Sequence, residues 1–167
     1  MNENKERVLF SIVFFMTIII IHGFAYGEDS KFALKEITPP HLNFYPHRIL
    51  IYEHYAIVAG WSTGVHFFDL TDPARPRWVN KIDVNGEAID IKVWNNLLFV
   101  ADKGFSIIDI KSVDDAYLVK SIKSRFDAKK LEVDGNCVFL LTDVGILIYD
   151  IKNLSDIGLI KYLDYST

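Results

Sequence analysis

Four histidines follow residue 27 of this 167-residue chain: His41, His47, His54 and His66. Imidazoles make a metal site when several converge with a carboxylate, and steps of 6, 7 and 12 residues match no such ligand spacing. His54 falls in an expected surface turn and His66 inside an expected strand. The acidic residues Asp69 with Asp72, Asp102, Asp114 with Asp115, and Asp143 raise calcium chemistry, but no D-x-[DN]-x-[DN]-G loop holds them. Turn-forming and solubilising roles account for them. Ser30, Ser62, Ser106 and Ser112 stand in no nucleophile motif, and G-x-S-x-G, P-loop and G-x-G-x-x-G patterns are absent. Cys137, the single cysteine, lies within the apolar run CVFLL and reads as a buried small residue; no intramolecular disulfide is available. The residue types therefore predict no catalytic group, no cofactor and no metal.

What the chain does carry is a repeat. Gly64, Gly104 and Gly145 are spaced by 40 and 41 residues, as are Asp69, Asp109 and Asp150, and again Ile82, Ile122 and Leu163. A period of this size, filled with short β-type runs, marks a propeller or solenoid. Each unit opens with alternating apolar residues: Ile49 and Ile51, then Ile89, Ile91 and Val93, then Leu131 and Val133. Period-two alternation predicts a strand with two different faces. A tight turn follows at Glu53-His54, Asn95-Asn96 or Asp134-Gly135-Asn136, residue types that mostly tolerate positive φ.

The second run of each unit is continuously apolar: YAIVA at 55–59, LLFVA at 97–101 and CVFLL at 137–141. Such runs predict strands covered on both sides. A loop ending in the repeated glycine leads to a third run, VHFFDL, FSIIDI or ILIYDI. Its aspartate is expected to bond backbone amides of the next turn. The glycine is expected where a backbone angle resists other residues. RWVNKI, YLVKSI and GLIKYL supply a fourth, outer strand. Four antiparallel strands in about 40 residues make one propeller blade. The predicted class is all-β, with about three blades spanning 49–88, 89–128 and 129–167.

These residues resemble the LVIVD repeat, a blade-type repeat of secreted and surface proteins with the pattern aYVAD…GLxIvDIsxPxxPxLVgxi. FVADKGFSIIDI at 99–110 carries it most fully, and VHFFDLTDPARPRWV keeps the paired prolines Pro73 and Pro76. The second and third units lack both prolines, and the first has Pro46-His47 where the others have Ala88 and Ala128. That neighbourhood begins the innermost strand, so His47 is a candidate for lining a central channel. The resemblance implies a β-propeller and transfers no catalytic residue. Trp-Asp blade ends and kelch Gly-Gly pairs are missing, and Trp61, Trp78 and Trp94 do not recur at the repeat step.

Residues 1–27 read as a secretory signal peptide: Lys5 and Arg7, an apolar stretch from Val8 to Ile21, then Ala25-Tyr26-Gly27. The stretch is short of the roughly 20 residues that span a bilayer, although retention as an anchor stays open. Export to the periplasm, cell surface or medium is expected. A net charge of −4 supplies no basic footprint for nucleic acid. Half the residues are hydrophobic and 14% aromatic, which excludes disorder.

Residues 28–48 hold Phe32, Leu34 and Ile37, which resemble the outer strand of a blade. The last unit already owns GLIKYL, so this strand is surplus within the chain. Three blades fall below the four to eight of closed propellers. The chain is expected to be a piece of a longer propeller, a homodimer closing a six-bladed ring, or an open three-sheet stack. The expected function is an exported, non-catalytic binding or scaffold module for an unknown protein or small-molecule ligand. Its loops would do the binding, because strands are consumed by packing. The alternatives are part of a multi-blade enzyme whose catalytic groups lie in other repeats, or a product without function.

Overall fold

A computed structural model describes residues 45–165. The signal-type segment, the strand expected around Phe32–Ile37 and His41 lie outside the described residues. All twelve described elements are β-strands, in three four-stranded antiparallel sheets. The first sheet holds β1 (Arg48–Tyr52), β2 (Tyr55–Ala59), β3 (Val65–Asp69) and β4 (Arg77–Ile82). The second holds β5 (Asp90–Trp94), β6 (Leu97–Asp102), β7 (Gly104–Asp109) and β8 (Tyr117–Lys123). The third holds β9 (Ala128–Asp134), β10 (Cys137–Thr142), β11 (Gly145–Asp150) and β12 (Gly158–Asp164). Each sheet is a simple meander in chain order, the plan of a propeller blade.

Local chemistry sets the corners. Asn95 and Asn96 both take positive φ between β5 and β6, and Glu53 and Gly135 do so in the equivalent turns. The Oδ1 atoms of Asp69, Asp109 and Asp150 accept the amides of Thr71, Lys111 and Lys152 at 2.8, 2.9 and 2.8 Å. The repeated aspartate is thus an Asx turn that aims each third strand into its outer loop. Gly64 and Gly104 have φ of 81° and 129°. A Cβ on either, or on Gly145, would meet the carbonyl oxygen of Ile82, Ile122 or Leu163 in the facing outer strand. The two repeated positions are therefore two sides of one close backbone approach.

The sheets stack through their faces. Ile57, Ala59, Val65 and Phe67 of the first pack against Ile91, Leu98, Val100 and Ile108 of the second. Phe99, Ala101, Phe105 and Ile107 on the second sheet's far face pack against Leu131, Val138, Leu140 and Leu147 of the third. Sheet-to-sheet burial of this kind supplies the main stabilising term, roughly 25 cal/mol per Å² of apolar surface. The inner strands are laced as well: Arg48 pairs with Asp90 at 3.5 Å and Lys92 with Glu132 at 2.7 Å. Asp90 Oδ2 also accepts the Leu131 amide.

The third sheet departs from the expectation of strands covered on both sides. β2 is buried throughout and β6 nearly so, but β10 alternates. Phe139 is 36% exposed, whereas Ile57 and Phe99 at the same register are fully buried. Among the described residues no sheet lies beyond the third, so one face of β10 meets solvent. The apolar run encodes a face made for packing, and no described residue covers this side of it.

Candidate functional site

The loops between second and third strands gather with the sheet-to-sheet linkers at one end of the stack. Lys103 N donates to Asn85 O at 3.2 Å, and Ser124 N donates to Lys103 O at 3.0 Å. Trp61 and Ala88 exchange both backbone hydrogen bonds, 3.1 and 2.9 Å. These cross-links hold loops at one end of a rigid scaffold, the usual place for function.

Trp61 holds φ of 52°, unusual for a bulky residue. His47, just ahead of β1, donates its amide to Ala59 O at 2.9 Å and sets its ring edge-on to Trp61 at 4.7 Å. The residue is exposed, next to the start of the inner strand β1. Nearby in the fold, Thr63 donates to Gly60 O at 2.6 Å, and His66 Nε2 bonds the same hydroxyl at 2.9 Å. His66 is fully buried, and burial first, then the Lys81 charge, lowers its pKa to about 4. His54 lies tilted against Tyr55 instead, with ring centroids 4.1 Å apart.

A second group joins sequence candidates that looked unrelated. Ser106 Oγ donates to Asp102 Oδ2 at 2.6 Å and bonds Ser121 Oγ at 2.8 Å. The Asn85 amide donates to the same carboxylate oxygen at 3.2 Å. Asp102 is 2% exposed, and its Oδ1 has no hydrogen-bond partner among the described residues. Burial raises its pKa to about 6 against the pull of both donors. Ser106 is sealed in the core, so this cluster fastens the inter-sheet linker and offers no accessible nucleophile. A signal existed in the sequence: the repeat has Gly60 and Thr142 where the second unit has Asp102.

The remaining acids are spent singly. Asp69 is held well below the usual carboxylate range by the Thr71 hydroxyl and amide and by Arg77. Asp72 accepts from Ala74 N and Arg75 Nε, Asp114 from Tyr55 Oη, and Asp115 from Ser112 Oγ. Asp143 pairs with Lys129 at 3.2 Å. Among the described residues no three of His, Cys, Asp and Glu converge as a metal site. No described helix is long and apolar enough to cross a membrane.

The same loop end carries a groove of about 440 Å³ lined by Arg125, Phe126, Asp143, Val144, Tyr162, Asp164 and Tyr165. Phe126 stacks on Tyr162 with centroids 5.6 Å apart, and the Arg125 guanidinium lies 4.8 Å over the Phe126 ring. Tyr162 Oη and Tyr165 N both donate to Val144 O, at 3.2 and 3.1 Å. These bonds fix an aromatic shelf with a cation above it and carboxylates at its rim. Such a surface stacks on flat groups and orients them by charge. Tyr162 and Phe126 replace Lys81 and Gly86 of the first unit, a break in the repeat that sequence reasoning passed over.

With this geometry in view, residues 85–119 match the LVIVD repeat family. No curated protein matches the chain by sequence. Among solved structures, the chain is similar to a functionally unknown protein from Desulfotomaculum acetoxidans DSM 771 at 16% identity and a TM-score of 0.53. That alignment covers 67% of this chain and 39% of the other, so the chain spans about two fifths of its neighbour's length. At this identity the likeness speaks to the fold alone. Residues 85–119 thus carry an LVIVD repeat, set between two further sheets of the same plan.

Proposed function

We propose that the chain is an exported, non-catalytic binding module whose loop end holds a protein or small-molecule ligand. The observation that carries the reading is the groove at the end of the third sheet. Its aromatic shelf of Phe126, Tyr162 and Tyr165 lies beside Arg125, on loops pinned to a rigid sheet. An aromatic surface with one cation and an acidic rim suits a peptide segment that presents a ring and a carboxylate. Export rests on the leader-type residues 1–27, and the blade architecture supplies the scaffold. The LVIVD repeat fits this role, since its blades leave the loops free to vary.

The test is panning of a displayed random-peptide library on the full chain, followed by titration of the selected peptides against variants. Binding should fall at least tenfold with Phe126→Ala and with Arg125→Ala, and stay unchanged with Tyr117→Ala on the outer strand of the second sheet. Peptides that bind all variants alike, or a library that yields none, would overturn the groove as the site.

A further inference from the structure

The two joints inside the stack are built alike, and among the described residues each end of the stack holds one unmatched half. On the second sheet the cross-strand row Lys92–Phe99–Ile107–Lys120 faces the third sheet. At its outer end Lys120 Nζ donates to the carbonyls of Leu154 and Ser155, in the loop between β11 and β12, at 2.9 and 2.8 Å. In the first joint Asn80 stands at the same register and donates to carbonyls of the loop between β7 and β8. The third sheet repeats the row as Glu132–Phe139–Ile148–Lys161. Here Phe139 is open to solvent, and exposed Lys161 makes no side-chain hydrogen bond or ion pair among the described residues.

The first sheet carries the opposite half. Its loop between β3 and β4 is folded like the loop that receives Lys120. Arg75 N donates to Asp72 O and Ala74 N to Asp72 Oδ1, at 2.9 and 3.1 Å. Asp156 N donates to Asn153 O and Ser155 N to Asn153 Oδ1, at 3.0 Å each. The carbonyls of Pro73 and Ala74 thus occupy the places of Leu154 and Ser155, and no hydrogen bond among the described residues ends on them. On the same side the row Ile51–Ala56–Phe68–Trp78 matches the receiving row Val133–Val138–Tyr149–Leu159 of the third sheet. Ile51 and Trp78 are 47% and 45% exposed around a buried Ala56. Val58 and His66 in the neighbouring row are already buried, so this half rests on the Ile51–Trp78 row and the loop.

We infer that a second copy of this chain fills both gaps head to tail. The third sheet of each copy docks on the first sheet of the other, Lys161 clasps the Pro73–Ala74 carbonyls, and the pair closes on itself. A heterologous contact of this sort terminates only if the rotation closes, and closure at two copies leaves no free joint. Registers, not apolarity alone, choose the occupant: a donor without its loop meets a loop without its donor.

The experiment is sedimentation equilibrium of the full chain over a hundredfold concentration range, with Phe139→Asp, Lys161→Glu and Ile51→Asp beside it. The wild type should be a dimer, and the variants should dissociate at least tenfold more readily. All three positions are partly or fully exposed, and far-UV circular dichroism verifies that each variant folds; Lys161→Glu carries the test if Phe139→Asp does not. A monomeric wild type, growth past the dimer, or a dimer indifferent to Ile51→Asp would each overturn the proposal. The last of these marks a face-to-face contact through the third sheets.

Discussion

Replacing Asp102 by Asn should change how stability depends on pH, and by a calculable amount. The carboxyl is sealed between the second sheet and the linker at Asn85, with pKa about 6 against an ordinary 3.8. A raised folded pKa means the folded protein keeps a proton that the unfolded chain has already lost. The contribution of Asp102 to stability therefore falls as pH rises from about 4 to about 6 and levels off near 7. The span corresponds to about 3 kcal/mol. His66 acts in the opposite sense over nearly the same window. Its folded pKa of about 4 lies below the ordinary 6.5, so stability rises with pH between those values, again by about 3 kcal/mol. The two groups nearly cancel in the wild type. In Asp102→Asn the amide oxygen can keep both donors, Ser106 Oγ and Asn85 N, while the proton linkage disappears. Urea unfolding at pH 4, 5, 6 and 7 should show the variant gaining about 3 kcal/mol on the wild type across that range. Any fixed cost of the amide shifts the whole curve and leaves its slope alone. Parallel curves for the two proteins would refute the assignment of Asp102 as the buried, proton-holding group.

Three other substitutions probe the architecture. Phe99→Ala should cost about 3–5 kcal/mol and Phe139→Ala about 1 kcal/mol or less in dilute monomer, because one register position is buried and the other open; equal losses in denaturant unfolding would contradict the open face. Gly104→Ala should cost clearly more than Gly135→Ala, which is limited to about 1–2 kcal/mol of left-handed backbone, because only at Gly104 does a Cβ meet the carbonyl of Ile122. Asp109→Ala should lose about 1 kcal/mol with its Asx turn, and Asp109→Asn should retain most of it, as read by thermal unfolding.

The fold was legible because each sheet repeats its own instructions. Asp69, Asp109 and Asp150 make the same turn, and the three glycines approach the same outer-strand carbonyl. Those are local interactions, and a spacing of 40 or 41 residues exposes them directly. The state of β10 was not legible, since CVFLL reads like LLFVA whether or not a neighbour covers it. Nor was the meeting of Asp102, Ser106 and Ser121, which needs two hairpin registers to be known at once. The aromatic shelf escaped for the complementary reason. Phe126 and Tyr162 are departures from the repeat, and a search for recurrence passes over what does not recur.

Each outer ladder also slips register once, between Phe67 and Phe68, Ile107 and Ile108, and Ile148 and Tyr149. A bulge bends an edge strand and spoils its offer of regular hydrogen bonds to a passing chain. The sheets are thereby discouraged from growing sideways into amyloid-like ribbons while they pack through their faces. Lengthening is channelled along a single direction. Each unit brings its own turn, its own blunted rim and both halves of a joint, so one can be gained or lost and the flanking units meet as before.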